Sequence, residues 1–151
     1  MNTPPEIATV PEQLTAVIRL TIPRDQIRNV MGPAMQEVMQ IVQRQGIAPT
    51  GPMFTHHFRI EPGIFDFEVG VPVASDVKPE GRVIACHLPA TKIARTMYTG
   101  PYEKLGAAWE EFDSWIVANG HSPLPDLWER YLSGPQSPTP STELVRPLRE
   151  S

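Results

Sequence analysis

The chain has almost no cysteine: Cys86 is the single one. No internal disulfide can form, and the composition suits a reducing compartment. Lys and Arg number 13 against 17 Asp and Glu, a formal net charge of −4, and the basic residues nowhere form a run. A surface that tracks phosphates needs clustered positive charge, so direct nucleic-acid binding is not expected. No apolar stretch approaches the ~20 residues of a membrane-spanning helix. The opening MNTPPEIATVPEQ has neither the basic start nor the apolar core of a secretory signal. The expected address is the cytosol. Spacings such as H-x-H, C-x-x-C and H-E-x-x-H are missing, as are the G-x-S-x-G elbow and the phosphate loop. Neither a metal nor a cofactor is expected.

What the chain has in plenty is proline. Its 18 prolines are well over twice the usual share of ~5%. They are spread along the chain, many where strands or helices begin, and punctuate elements without signalling disorder. At 151 residues the chain fits a single domain, and a domain of this size buries most of its apolar surface without staples.

The most informative pattern is internal repetition. The stretch from Val10 to Pro23 lies on Leu88 to Pro101 without gaps, pairing Pro11 with Pro89, Ala16 with Ala94, Thr21 with Thr99 and Pro23 with Pro101. After a short insertion, Gly32 falls on Gly106, Ala34 on Ala108, Val38 on Phe112, Gly46 on Gly120 and Pro49 on Pro123. FEVGVPV then meets TELVRPL, with Glu68 on Glu143 and Pro72 on Pro147. We read units of about 6–73 and 83–148 joined by a polar linker, 74–82; the alternative is two ordinary α+β halves sharing generic turn residues.

Each unit reads as strand, helix, strand, strand, with short leading strands at Glu6–Val10 and Arg82–Leu88. Thr15–Ile22 and Lys92–Thr99 are rich in β-branched residues. In the second unit Leu105, Ala108, Trp109, Phe112, Trp115 and Ile116 follow helical spacing, closed by Gly120. In the first, Met31, Met35, Val38, Met39 and Val42 do the same up to Gly46, and Pro33 is expected to start the regular helix. The remaining strands are Met53–Ile60, Ile64–Val71, Leu127–Leu132 and Thr142–Arg146. The fold class is therefore α+β, a duplicated unit with antiparallel sheets, two helices packed on them and a cleft at the seam. The stretch GPQSPTPST, 134–142, is expected to be an exposed loop.

Glu129 is the leading candidate for chemistry. Strand alternation puts Leu127, Glu129 and Tyr131 on one face and Trp128, Arg130 and Leu132 on the other. A carboxylate between Leu and Tyr on a covered face is unusual, because an unpaired buried charge is costly. Its counterpart in the repeat is Thr55. The bland reading is an edge-strand Glu paired with Arg130 or another surface base. Aromatic side chains crowd the second unit, with Tyr98, Tyr102, Trp109, Trp115, Trp128 and Tyr131; Trp109 and Trp115 serve equally well as helix core. His56 and His57 are adjacent on a strand and point to opposite faces, which argues against a shared metal. Cys86 and His87 are separated by the same rule.

At these residues the sequence resembles the GyrI-like small-molecule-binding domains, the effector-binding domains of multidrug-responsive and AraC-type bacterial transcription regulators. The segments that carry the resemblance are FEVGVPV, the L-P-A…T-G-P-Y stretch leading into a helix, and L-W-E-R-Y-L-S-G-P followed by T-E-L-V-R-P-L. The resemblance implies a cleft on a pseudo-two-fold axis, with Glu129 as the acid that meets cationic, aromatic ligands and Tyr131 and Tyr102 beside it. The expected ligand-binding set further includes Tyr98, Trp109, Phe67, Leu127, Met53 and His57. A branch of the family hydrolyses cyclopropane-bearing toxins with the corresponding Glu, which would make Glu129 the general base and Tyr131 its catalytic partner. Trp128 and Arg130 depart from the family pattern, and Trp128 is expected to reshape the cleft. The expected partner is a small molecule; a protein partner is a further option, and the chain is expected to be the ligand module alone.

Overall fold

The computed structural model describes residues 3–61, 63–101, 104–132 and 140–149. The chain runs β1 (Glu6–Val10), β2 (Gln13–Pro23), α1 (Ile27–Arg44), β3 (Phe54–Glu61), β4 (Ile64–Pro72), β5 (Val83–Leu88), β6 (Thr91–Thr99), α2 (Leu105–Ala118), β7 (Leu127–Tyr131) and β8 (Ser141–Pro147). The strands of the described residues join one antiparallel eight-stranded sheet in the order β1-β6-β8-β7-β3-β4-β2-β5. Exchange each strand for its counterpart in the other half, and the order reads the same backwards.

The repetition extends to individual pairs. Val10↔Thr91 in β1·β6 recurs as Leu88↔Gln13 in β5·β2. Ile18↔Val69 recurs as Thr96↔Leu144, and Thr55↔Val69 as Glu129↔Leu144. Both helices end on the same pair of bonds: Gly46 N–H reaches Gln43 O and Ile47 N–H reaches Val42 O, matched by Gly120 to Val117 and His121 to Ile116. This closure needs a left-handed residue, and Gly46 and Gly120 supply it at φ 69° and 82°. The first strand of each half pairs with the second strand of the other, so the halves interlock and neither sheet half is self-contained.

The helix stripes dictate the packing. Ala34, Val38, Ile41 and Val42 of α1 bury against Ala16, Ile18, Phe67, Val69 and Val71 of β2 and β4. Ala108, Phe112 and Ile116 of α2 bury against Ala94, Tyr98, Leu144 and Leu148. The helices thus cover the outer strands of one face and leave β3 and β7 as the strip between them. On the reverse face Val17, Phe54, Leu88, Ile93, Trp128 and Val145 form a separate core. Gly70 is required where β4 meets β2, because a Cβ there would stand 2.2 Å from the Ala16 carbonyl oxygen.

Two expectations are corrected here. α1 does not begin at Pro33: it starts at Ile27 after a 3-10 turn, Arg24–Gln26, and Pro33 lies inside it. Proline removes one backbone donor, but Asn29 and Pro33 are both exposed, so water can satisfy the released carbonyl. β3 carries a bulge between His57 and Arg59 that the sequence pattern does not announce. The 134–142 stretch falls mostly outside the described residues. Among the described residues no helix is long and apolar enough to cross a membrane.

Candidate functional site

The strip between the helices is centred on the seam of β3 and β7, where Phe54↔Arg130, Thr55↔Glu129, His56↔Trp128 and His57↔Leu127 face one another. Thr55 and Glu129 are counterparts in the repeat and also direct cross-strand partners, so the pseudo-two-fold axis passes between them. On this axis one half presents a hydroxyl and the other a carboxylate.

Glu129 is 9% exposed. Trp109 reaches down from α2 and donates its indole N–H to Oε2 at 2.7 Å, while the Tyr131 hydroxyl donates to Oε1 at 2.9 Å. The Thr55 hydroxyl stands 2.9 Å from the same Tyr131 oxygen. Because Tyr131 gives its proton to the carboxylate, Thr55 is the donor to Tyr131, and the chain Thr55–Tyr131–Glu129 is ordered. Burial pushes the Glu129 carboxyl above its usual range, and the bonds from Trp109 and Tyr131 only partly offset that. No basic side chain among the described residues pairs with it. Arg130, the partner of the bland reading, lies on the reverse face and bonds Glu143 at 3.0 Å, and β7 is a central strand.

The other expected residues distribute around this acid. Leu127 is buried on the same face, opposite His57. His57 stacks on Phe67, with ring centroids 5.0 Å apart and planes 17° from parallel, and meets the edge of Phe65 at 5.3 Å. Burial, and after it the charge of the neighbouring His56, pushes its imidazole down to about 4. Its Nδ1 is buried without a hydrogen-bond partner among the described residues. Met53 is half-buried, and its carbonyl accepts the Tyr131 amide at 2.9 Å. Tyr98 is buried in the α2 core with its hydroxyl bonded to the Pro101 carbonyl at 2.8 Å; it pairs with Thr142, which pairs in turn with Tyr131. Tyr102 lies outside the described residues.

Trp128 does not reshape this strip. Alternation carries it to the reverse face, where it is 1% exposed and meets His56 edge-on. There it also helps line a recess of about 190 Å³ with Arg130 and the turns at Pro11 and Pro89. His56 shares that face and holds Asp126 at 2.8 Å and Glu68 at 3.5 Å. Desolvation opposes its proton, but the two carboxylates outweigh it and the pKa is raised. Among the described residues no cluster of His, Cys, Asp and Glu could hold a metal. Sequence reasoning missed the role of Thr55, although the repeat alignment had already set it against Glu129. It also missed Arg146, which ties β8 to α2 through Asp113 at 3.1 Å.

Comparison with known proteins agrees with this architecture. The search of curated proteins gave no match. The C-terminal domain of EcmrR superposes with a TM-score of 0.84 at 22% identity, covering 98% of each chain. EcmrR in its complex with DNA gives 0.83 at 22% identity, and this chain, 98% of it matched, spans 58% of that one. SAV2435 bound to tetraphenylphosphonium gives 0.67 at 13% identity over 97% of this chain and 94% of that one. A hydrolase from Listeria innocua gives 0.64 at 14% over 96% and 91%. At these identities the likeness concerns the fold. Sequence goes further, for the family description "GyrI-like small molecule binding domain" matches residues 3–148. A duplicated strand-helix-strand-strand sheet matched over nearly its whole length places the chain in the GyrI-like small molecule binding domain family.

Proposed function

We propose that this chain binds small aromatic cations in the strip between α1 and α2, with Glu129 as the counter-charge. The observation that carries the reading is a buried carboxylate with two neutral donors and no basic partner among the described residues. A cation seated against this carboxylate gains attraction that strengthens as water leaves, and the rings of Trp109 and Tyr131, which bond Glu129, add to it. Met53 and, on the α1 side, Met31 and Met35 are half-buried; their flexible side chains can yield to ligands of different shape. The relative solved with tetraphenylphosphonium supports this choice of ligand class. A regulator with DNA among the structural relatives suits a sensing role, in which ligand occupancy is read by a partner.

The test is titration calorimetry with tetraphenylphosphonium near pH 7.5, comparing wild type and Glu129→Gln. Loss of the charge weakens binding roughly tenfold or more. Equal affinity for both proteins, or none for wild type, defeats the proposal.

One feature favours hydrolysis as a second reading. The Thr55–Tyr131–Glu129 chain links an acid whose proton affinity is raised by burial to a hydroxyl, an arrangement that suits general-base activation of water. Turnover of a spirocyclopropane electrophile that Glu129→Gln abolishes would select this reading; turnover unaffected by that change rejects Glu129 as base.

A further inference from the structure

We infer that His57 is a second recognition point in the same strip, a neutral hydrogen-bonding group that selects, among aromatic cations, those carrying a hydroxyl, amide or amine beside the ring. The inference rests on the proposed binding of aromatic cations and adds to it a ligand class.

The geometry comes from the register. His57 faces Leu127 across the seam, and Leu127 is two residues from Glu129 on the same face of β7. Two residues of strand span about 7 Å, roughly the length of a substituted phenyl ring. His57 therefore stands about one ring's length along the seam from a charge seated against Glu129. The imidazole is held for this role by Phe67 stacked on one side and Phe65 at its edge, which fix the ring plane. At 7% exposed it carries a buried Nδ1 with no partner among the described residues. Most buried polar atoms are satisfied, and one that is not costs free energy until something meets it. The sequence places a histidine here between Thr55 and the bulge, where a phenylalanine would fill the same aromatic stack without leaving a polar atom unmet. With its pKa pushed down to about 4, the ring stays uncharged at neutral pH. It adds no repulsion toward a cation, and it offers both a donor and an acceptor.

A matched ligand pair tests the inference. The probes are triphenylphosphonium cations whose fourth ring bears a 4-hydroxymethyl or a 4-ethyl group, equal in size and charge. Tetraphenylphosphonium serves as reference. Wild type prefers the hydroxymethyl cation over the ethyl one by roughly fivefold, the worth of a modest hydrogen bond. His57→Phe, which preserves the stack, abolishes or reverses that preference. Glu129→Gln weakens all three cations together. If wild type binds tetraphenylphosphonium but shows no hydroxymethyl preference, His57 has no such role and the parent reading survives. A preference that persists in His57→Phe likewise overturns it. If wild type binds none of the three, both readings fall. Should His57→Phe not fold, His57→Leu takes its place, and a missing wild-type preference overturns the inference without any variant.

Discussion

His57→Phe also has a sharp consequence for stability. Unfolded, this imidazole titrates near 6.5; folded, it is pushed down to about 4 by burial and then by His56. The fold therefore prefers the neutral ring. As pH falls below 6.5 the unfolded chain takes up a proton that the folded chain refuses until about 4, so stability is lost on acidification across that window. Between about pH 7.5 and pH 5, His57 alone costs the wild type about 2 kcal/mol. Neighbouring groups act in both states of the comparison. His56, with its raised pKa, contributes stability below 6.5 that is lost as pH rises, and the carboxylates of Glu68, Asp126 and Glu129 are common to both proteins. The difference between variant and wild type thus isolates His57. Near pH 7.5 the variant should match or slightly exceed wild type, since an unmet nitrogen is replaced by carbon in the same stack. Near pH 5 it should be about 2 kcal/mol more stable. Urea unfolding followed by fluorescence of the three tryptophans measures both. Parallel pH profiles for the two proteins refute the claim that this ring is buried neutral.

Other predictions follow from single contacts. Trp109→Phe removes the donor to Glu129 Oε2, so unfolding experiments near pH 7.5 should find a loss of about 1–3 kcal/mol, typical of a bond to a charged group. Gly70→Ala puts a Cβ against the Ala16 backbone oxygen and Val17; a fall of 2 kcal/mol or more, on the order of other core clashes, is expected in thermal denaturation. Asp126→Asn weakens the hold on protonated His56, whose contribution is present below 6.5 and lost as pH rises through its raised folded value. The variant's deficit should therefore be largest near pH 6 and shrink toward pH 9. Cation affinity, read by calorimetry, should decline as pH is lowered, beginning above the usual carboxylate range because burial raises Glu129. Affinity independent of pH down to about 4 contradicts a charged Glu129 as the attractive group.

Much of this architecture is legible because local rules write it into the chain. Helical spacing picked out Ala108, Phe112 and Ile116, which are the buried stripe of α2. Alternation set Glu129 with Leu127 and Tyr131, and placed Trp128 opposite; followed to its end, that rule already kept Trp128 out of the strip. The repeat alignment paired Thr55 with Glu129 without revealing that they touch. Contact between them depends on which strands lie side by side, and strand order is a property of the whole sheet, set by packing of distant segments. The same holds for the exchange of β1 and β5 between halves. Tyr98 shows the limit for single side chains. Its type and position suited a ligand, yet its hydroxyl bonds a carbonyl three residues on, a contact governed by the path of the Thr99–Pro101 turn. The bulge after His57 and the internal Pro33 belong to the same class, being local irregularities tolerated by surroundings the sequence does not display.

The interlocked halves make a further prediction about what the asymmetry on the axis is for. Cut the chain in the 74–82 stretch, and the N-terminal half loses the partner of β1 and one of the two partners of β2 and of β3. A second copy can replace them all: β1 can pair with the other copy's β2 as β5 does, and β3 can pair with β3, setting Thr55 against Thr55. Opposed threonines are compatible in a ladder. The same operation on the C-terminal half sets Glu129 against Glu129 in a buried site, where two carboxylates cannot both be ionised near neutral pH. Sedimentation and circular dichroism of the separate halves should therefore find the N-terminal half folded as a dimer. The C-terminal half should be dissociated and largely unfolded until acid or Glu129→Thr relieves the repulsion, with a gain in association of roughly a hundredfold. Equal dimerisation of both halves near pH 7.5 would show that Glu129 is not confined on the axis. Failure of Glu129→Thr to help would show that packing, and not charge, keeps the second half from pairing with itself. If both halves follow the charge, one function of the Thr55 and Glu129 pairing is to make the two units prefer each other over themselves.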